Sequence, residues 1–211
     1  MRFEDMAPVR GFPSFRGQKN FPGLWWSATM GSHVGYESWL ERDWLMAFDS
    51  SPEVAGVASQ PFRLAWLVNG KTRHHVPDYF LRLHDGGVVV VDVRPDSRID
   101  PDDQAVFDRT AVICESVGWQ YRRVGEMGVV RAANLRWLSG YRHPRCRRPG
   151  LMAQFSEVFA APRPLADGVA AVGDPIVVLP TLFHLLWRQE LSVDLEKAPL
   201  GPDTIIGGDR Q

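Results

Sequence analysis

HVPDYFLRLHDGGVVVVDVRP, residues 75–95, is the stretch that decides the fold of this chain. Two β-rich runs flank Asp85-Gly86-Gly87, and Asp-Gly between such runs strongly favours a β-hairpin. Each run carries one carboxylate: Asp78, directly after Pro77, in the first run and Asp92 in the second. Because the two acids lie at similar distances from the turn, they are predicted to lie roughly opposite each other on paired antiparallel strands.

The second run, VVVVDVRP, is apolar enough to form a central strand and yet carries two charges. Side chains alternate between the faces of a strand, so Asp92 and Arg94 are predicted to share one face with Val90. A charged pair there is costly unless something uses it. Two neighbouring carboxylates repel each other unless a hard cation lies between them, and Mg²⁺ favours carboxylate oxygens together with water. Asp78 and Asp92 are therefore candidate metal ligands, and Arg94 is a candidate for stabilising negative charge on a reacting group.

The segments around this hairpin predict a mixed α/β domain. Residues 36–48, YESWLERDWLMAF, repeat apolar side chains at helical spacing and carry Glu41, a third candidate ligand. Asp100 and Pro101 are typical of a helix start, Gly118 is typical of the end of that helix, and a strand follows it. A strand–helix–strand unit after a meander predicts a mixed sheet whose last strand is parallel to its neighbour. The predicted strands are residues 54–68, 72–83, 88–95 and 119–124.

The composition is that of a folded protein. The chain has 211 residues, of which 45% are hydrophobic and 11% aromatic, enough for one sizeable core or two small domains. Residues 1–33 are rich in glycine, proline and aromatic residues. They predict an irregular arm that packs on the main domain through Phe21, Leu24, Trp25 and Trp26.

After Arg148-Pro149-Gly150 the pattern changes again. Helices are predicted over residues 151–160 and 176–188, and residues 192–206 fit a short two-stranded wing. Helices followed by a hairpin predict a small winged-helix-like domain. The predicted domains are thus 1–33, the arm, 34–147, the main α/β domain, and 148–211, the winged-helix-like domain.

Nothing in the sequence predicts export or insertion into a membrane. The first residues, MRFEDMAPVR, lack the apolar core of a signal peptide, and no later run approaches the about 20 apolar residues of a span. Cys114 and Cys146 match no metal-ligand spacing and no disulfide framework, so they are predicted to be reduced thiols. We therefore expect a cytoplasmic protein without a membrane partner.

The charge is unevenly distributed along the chain. The formal net charge is −1, which argues against a protein that coats nucleic acid over its whole surface. Eight arginines nevertheless lie between Arg122 and Arg148, opposed by Glu126 alone. This cluster is a candidate phosphate-contacting surface. The alternative is a set of solvated arginines with no shared role.

Each candidate residue also has a purely structural interpretation. Asp78 after Pro77 fits a turn, Asp92 with Arg94 fits a structural ion pair, and Glu41 fits a solvated helix face. Two further polar features rank lower. Gln60, in SQPF, is a candidate for positioning the site or a satisfied polar group at a strand edge. His74 and His75 alternate to opposite faces, which argues against a paired histidine metal site.

The ordered motifs resemble a known family. SWLERDWLMAFDSSPEV, SQPF, HVPDYF and VVVVDVRP, in that order, look like the TnsA-like endonuclease subunit of heteromeric transposases, a member of the PD-(D/E)xK nuclease superfamily. The resemblance covers roughly residues 34–210. It includes DPIVVLPTLFHLLWRQELSVDL, which is similar to the winged-helix tail of such subunits.

The resemblance implies a restriction-endonuclease-like fold and a Mg²⁺-dependent DNA endonuclease, with Mn²⁺ able to substitute. Glu41, Asp78 and Asp92 match the metal-binding acids of the family, and Arg94 stands where the catalytic lysine is usual. The implied substrate is double-stranded DNA at transposon ends. The implied partners are a DDE-type transposase subunit and an AAA+ ATPase regulator.

The departure at Arg94 leaves other functions open. Lysine can lose its proton, whereas arginine stays charged, so Arg94 cannot readily shuttle a proton. One alternative is a catalytically weakened nuclease fold that acts as a DNA- or transposase-docking module. Another is a stand-alone nuclease for defence or repair. A simple winged-helix regulator is a third, but it leaves the three acids without a purpose.

Overall fold

A computed structural model describes residues 2–12 and 21–207 of this chain. Residues 13–20, which belong to the predicted N-terminal arm, lie outside the described part. The chain divides into two compact units. The N-terminal unit comprises residues 1–49 and 53–126, and the C-terminal unit comprises residues 50–52 and 127–211.

The two units contain ten strands and six α-helices within the described residues. The strands are β1 Gly23–Ser27, β2 Ser32–Tyr36, β3 Val54–Ser59, β4 Leu64–Val68, β5 Lys71–His75, β6 Tyr79–Leu83, β7 Val88–Val93, β8 Gln120–Val124, β9 Arg163–Pro164 and β10 Ile205–Ile206. The helices are α1 Trp39–Ser50, α2 Pro101–Ser116, α3 Val129–Leu138, α4 Pro149–Val158, α5 Leu165–Val172 and α6 Pro175–Trp187.

A four-stranded mixed sheet in the order β3-β6-β7-β8 forms the centre of the N-terminal unit. β6 pairs antiparallel with both β3 and β7, and β8 pairs parallel with β7. The hairpin around Asp85-Gly86 is confirmed, with Gly86 at φ 87°, a left-handed conformation that glycine adopts readily. The predicted mixed α/β class, a mixed sheet flanked by helices, is therefore correct.

β7 is buried along its whole length, so both faces of the sheet are covered at this strand. On one face Phe80 and Val90 pack with Cys114 of α2. On the other face the ring of Tyr79 lies 5.8 Å from that of Phe48 in α1. The two helices thus cover opposite faces, and a side chain on the α2 face of β7 is shielded from water.

The helix predicted after Asp100 is confirmed. The Asp100 carboxylate accepts the Asp103 N–H at 2.8 Å, and Pro101 occupies the first turn, where no N–H partner is needed. Gly118 follows the helix at φ 77°, as a left-handed residue beyond a helix end.

The first two predicted strands are wrong as continuous elements. The run 54–68 is split into β3 and β4, and the run 72–83 into β5 and β6. The breaks fall next to Pro61 and Pro77, which lack the N–H that a central strand must donate. β4 and β5 instead form a separate hairpin around Asn69-Gly70.

The predicted irregular arm is wrong in part. Within it, β1 and the start of β2 form a regular antiparallel hairpin. Trp25 is buried and Trp26 half-buried, but Phe21 and Leu24 are exposed. Strand alternation explains the difference between Leu24 and Trp25, because neighbouring side chains point to opposite faces.

The β1–β2 hairpin is fastened to the end of α1 by one buried carboxylate. Asp49 accepts hydrogen bonds from Trp25 Nε1 at 2.9 Å, Ser27 Oγ at 2.6 Å and the backbone N–H groups of Ala28 and Thr29 at 3.1 and 2.9 Å. A buried charge with four donors is satisfied, whereas the donors without it would be left unpaired.

The C-terminal unit is mainly helical. Helices close to 151–160 and 176–188 were predicted and are observed as α4 and α6, but α3 and α5 were not predicted. Phe155, Phe159, Leu182 and Trp187 are fully buried in this unit. β9 and β10 form a two-stranded antiparallel pair, and the Ser192–Gly207 bridge continues it.

Apart from residues 50–52, the C-terminal unit begins at Met127, so it includes α3. Asn134 of α3 donates to the Leu195 and Ala198 carbonyls at 2.9 Å each and accepts the Leu200 N–H at 2.9 Å. These bonds tie the segment before β10 to α3. The sequence-based domains 34–147 and 148–211 stay a prediction.

No helix within residues 2–12 and 21–207 is both long and apolar enough to cross a membrane.

Asp49→Ala should lower the free energy of unfolding by about 3 kcal/mol, because it leaves buried donors without an acceptor. Asp49→Asn, which keeps one acceptor oxygen, should cause a smaller loss. Chemical denaturation followed by tryptophan fluorescence measures both. The exposed Asp108→Ala is the control and should change the free energy by less than about 0.5 kcal/mol. An Asp49→Ala variant as stable as the control contradicts the proposed fastening.

Candidate active site

Asp78 and Asp92 lie side by side at the end of the β6–β7 pair. The Asp78 N–H donates to Asp92 Oδ1 at 3.3 Å, and the Val93 N–H donates to Asp78 Oδ2 at 2.7 Å. The paired strands therefore bring the two carboxylates together, as the turn position predicts. Each backbone bond fixes one carboxylate relative to the strand that carries the other.

Asp92 is the most enclosed member of the site. Its side chain lies on the α2 face of β7, and the residue is 2% exposed. Its Oδ2 accepts the Tyr121 hydroxyl at 2.7 Å and contacts His75 Nε2 at 2.8 Å. Hydrogen bonds of this kind offset the cost of burying a carboxylate.

His75 is a member of the site that the sequence analysis missed. It is the last residue of β5, and its half-buried ring reaches Asp92, whereas His74 is exposed. Alternation correctly separates the two histidines by face, but it says nothing about which face meets the acids. The relevant signal in the sequence is Pro77. Because the β4–β5 hairpin ends just before this proline, His75 lies next to the candidate site.

Tyr121 was also missed. It lies on β8, paired parallel to β7, with Tyr121 beside Val90 in the register. Burial raises the pKa of its hydroxyl, and the Asp92 charge raises it further. Tyr121 is therefore a hydrogen-bond donor to Asp92 that stays protonated.

Glu41 lies at the beginning of α1 in a capping box. Ser38 Oγ donates to Glu41 Oε1 at 2.8 Å, and the Glu37 N–H donates to Glu41 Oε2 at 2.8 Å. The Glu41 N–H in turn donates to Ser38 Oγ at 3.2 Å. This is a variant of the Ser-x-x-Glu capping box in which Glu41 accepts the Glu37 N–H and the Ser38 hydroxyl instead of the Ser38 N–H. The structural interpretation of Glu41 as a solvated side chain is therefore wrong, and both of its oxygens are engaged.

Negative charge accumulates around Asp78. Its own burial raises the pKa of Asp78 well above its ordinary value, and the charges of Asp92, Glu41 and Glu37 raise it further. Burial is also the main cause that raises the pKa of Glu41, and the Glu37 charge adds to it. Arg10 offsets part of this charge through its 2.9 Å ion pair with Glu37. The remaining repulsion favours any proton or cation that binds among these oxygens.

Two buried oxygens near these acids lack a hydrogen-bond donor within the described chain, Glu37 Oε1 and Gln60 Oε1. Gln60 adopts φ 48°, a left-handed conformation that is uncommon for a residue other than glycine. Its N–H donates to the Asp78 carbonyl at 2.8 Å, so it directly adjoins the candidate pair. Unpaired buried acceptors are uncommon in folded proteins, and a bound water or ion is one explanation for them.

Arg94 forms its ion pair with a residue other than the candidate ligands. Its Nη2 is 2.8 Å from Asp103 Oδ2 in the first turn of α2, and its side chain is 44% exposed. The structural ion pair expected between Asp92 and Arg94 is therefore wrong: the partner of Arg94 is Asp103. Arg94 directly follows β7, and its side chain reaches the first turn of α2.

The described residues contain no group of three or more His, Cys, Asp or Glu side chains already arranged to hold a metal ion. Glu41, Asp78 and Asp92 thus do not form a preassembled three-ligand site. Their chemistry nevertheless fits a hard cation, because all of them offer carboxylate oxygens. The His75 and Tyr121 bonds both fall on Asp92 Oδ2, whereas within the described chain Oδ1 accepts only the Asp78 N–H at 3.3 Å, so Oδ1 is the oxygen of Asp92 with most capacity for a cation.

Comparison with protein-family models and with curated proteins found no match to this sequence. The resemblance described above therefore depends on its motifs alone.

Glu41→Ala should lower the free energy of unfolding by about 1 kcal/mol, because the capping box is lost. Glu41→Gln keeps an acceptor for the Glu37 N–H and removes the charge, so it should be nearly as stable as the wild type. Thermal denaturation compares the two variants. Equal losses in both would contradict the capping role.

Asp78→Asn should stabilise the protein at neutral pH. A pKa raised on folding, here from 3.8 upward, means that the folded state binds the proton more tightly than the unfolded state. Stability is then fully present below the unfolded pKa and falls as pH rises through the folded pKa. The introduced amide keeps an acceptor for the Val93 N–H without the charge. Urea denaturation at pH 4 and pH 7.5 should show a larger gain at pH 7.5, and an equal difference at both pH values would refute this.

Proposed function

We propose that this protein is the Mg²⁺-dependent DNA endonuclease subunit of a heteromeric transposase, and that it hydrolyses a phosphodiester bond at transposon ends. The observation that carries the proposal is the Asp78–Asp92 pair, held side by side by backbone bonds at 3.3 and 2.7 Å. Burial and the repulsion among these acids and Glu41 raise the pKa of Asp78, and a hard divalent cation would relieve the repulsion.

Asp78 and Asp92 are the residues that would hold the cation, and Glu41 is the ancillary acid. Bound there, Mg²⁺ supplies a Lewis acid for a phosphodiester oxygen and lowers the pKa of a coordinated water. Tyr121 and the Asp78 N–H hold the Asp92 carboxylate in one orientation. Glu41 stays oriented by the capping box, so its charge faces the pair from a fixed position.

The proton-handling residue in this proposal is His75. Arg94 forms its ion pair with Asp103 and stays charged, so it does not replace a catalytic lysine as a base. The imidazole of His75 adjoins Asp92 at 2.8 Å and can accept or release a proton. Arg94 then contributes positive charge at the beginning of α2.

The sheet supports the nuclease fold within this proposal. An antiparallel β3-β6-β7 meander, a crossover through α2 and a parallel β8 give the mixed sheet expected of a restriction-endonuclease-like core. Asp78 lies directly before β6, and Asp92 lies on the neighbouring strand β7. The same proposal assigns the protein to the cytoplasm, where double-stranded DNA is its substrate.

The order of elements in the C-terminal unit supports a winged-helix-like domain. α4, β9, α5, α6 and β10 follow the order helix, strand, helix, helix and returning strand, and the Ser192–Gly207 bridge pairs the two sides of the intervening loop. The third helix of such domains often enters a DNA groove. α6, however, is buried from Thr181 to Trp187.

Protein docking therefore suits α6 better than DNA binding. The first turn of α6 is exposed. It presents Ile176, which is 86% exposed, and Val177. These side chains offer no positive charge to phosphates. We assign this end of the domain to the DDE-type transposase subunit. The AAA+ ATPase regulator is proposed from the resemblance alone.

Two alternatives remain distinguishable from the proposal. A catalytically weakened docking module is favoured by the pairing of Arg94 with Asp103 and by the two bonds that Asp92 Oδ2 already makes, to His75 and Tyr121. A stand-alone nuclease for defence or repair would cut DNA without any partner subunit.

Calorimetric titration with Mn²⁺ tests the proposal. The wild type should bind it saturably, and Asp78→Asn should weaken binding at least about tenfold, because one charged ligand is lost. The control is Asp102→Asn, an exposed carboxylate of α2 that should leave binding unchanged. Absence of binding by the wild type, with and without DNA, would exclude the metal-dependent mechanism.

If Mn²⁺ binds, nicking of supercoiled DNA separates the nuclease from the docking module. The expected result is Mg²⁺-dependent nicking, alone or with the transposase subunit, that Asp92→Asn abolishes. Metal binding without nicking in the presence of the partner subunit would favour the docking module.

A further inference from the structure

The β4–β5 hairpin projects as a two-stranded ribbon from the candidate site. Its strands pair only with each other within the described chain, around the Asn69-Gly70 turn. Most of its residues are exposed, among them Leu67 at 73%. An isolated two-stranded ribbon of this kind is marginally stable in water, so a partner surface would stabilise it.

One face of the ribbon is cationic and leads to the acids. In the register, Lys71 is opposite Val68, Arg73 is opposite Trp66 and His75 is opposite Leu64. Residues directly opposite each other project to the same side, so Lys71, Arg73 and His75 share a face. His75 closes that row at Asp92. The face of the ribbon therefore runs directly into the candidate site.

The described residues leave the positive charge of the ribbon without a carboxylate partner. No Asp or Glu occurs from residue 54 to residue 77 of the sequence. Within residues 2–12 and 21–207, neither Lys71 nor Arg73 forms an ion pair with a carboxylate. Arg63 and His74 are also exposed, and they add to the basic character of the ribbon. A surface with this charge fits a polyanion.

We propose that the β4–β5 ribbon binds the phosphate backbone of duplex DNA and leads the scissile phosphate to Asp78 and Asp92. This proposal rests on the proposed function for the identity of the site, but the binding surface is separate from the acids. A two-stranded ribbon is narrow enough to enter the major groove. Lys71 lies four residues from His75, about 13 Å along a strand, which corresponds to about four base-pair steps.

The ribbon, and not α6, is therefore the DNA-contacting element that this proposal names. Phosphate contacts by Lys71 and Arg73 would fix the position of the duplex without selecting its sequence. Trp66, on the same face, would pack against sugars or bases.

The test is duplex DNA binding without divalent metal, followed by fluorescence anisotropy over a series of salt concentrations. The variant is Lys71→Gln with Arg73→Gln. The matched control is Arg98→Gln with Arg109→Gln, which removes the same charge from exposed positions outside the ribbon. Circular dichroism establishes that both variants are folded.

The ribbon variant should bind about tenfold more weakly at low salt, and the slope of log K against log salt should decrease by about 2, one lost phosphate contact for each residue. The control should retain wild-type affinity and slope. Wild-type binding by the ribbon variant overturns the proposal, as does an equal loss in the control or no DNA binding by the wild type.

Calorimetry with Mn²⁺ separates this proposal from the nuclease proposal. The ribbon variant should bind Mn²⁺ as the wild type does, whereas Asp78→Asn should lose Mn²⁺ and keep the ribbon-dependent DNA binding. If no protein binds Mn²⁺ but the ribbon variant alone loses DNA, only the nuclease proposal fails.

Discussion

The repulsion between Asp78 and Asp92 is the constraint on which the candidate site depends. The Asp78 N–H donates to the Asp92 carboxylate and the Val93 N–H donates to the Asp78 carboxylate, so the backbone holds the two acids close together. The surrounding groups offset this repulsion only in part. Tyr121 and His75 pair with Asp92, whereas the charges of Glu41 and Glu37 add to it and raise the pKa of Asp78 beyond the effect of its burial.

Two prolines account for the breaks in the flanking strands. Pro61 and Pro77 end the continuous pairing on either side of the ribbon, and between them the chain leaves the central sheet. Because the chain leaves the central sheet here, His75 lies next to Asp92, and the cationic face of the ribbon adjoins the site. Positive groups thus approach the acids from the ribbon, whereas Arg94 pairs with Asp103 at the beginning of α2.

Sequence alone was sufficient where local chemistry decides the structure. The Asp85-Gly86 turn, the cap at Asp100 and the opposition of Asp78 and Asp92 all follow from turn and capping preferences. The cap formed by Ser38 and Glu41 also has a local sequence signature, Ser-x-x-Glu at the beginning of a helix.

The remaining features depend on contacts between distant residues. Alternation gives the face of His75 but not its partner, and the Arg94–Asp103 pair requires the position of α2 relative to β7. The most direct test of the account is a crystal structure grown with Mn²⁺, using anomalous scattering. The account predicts a peak about 2.1 Å from oxygens of Asp78 and Asp92. A structure without that peak would contradict it.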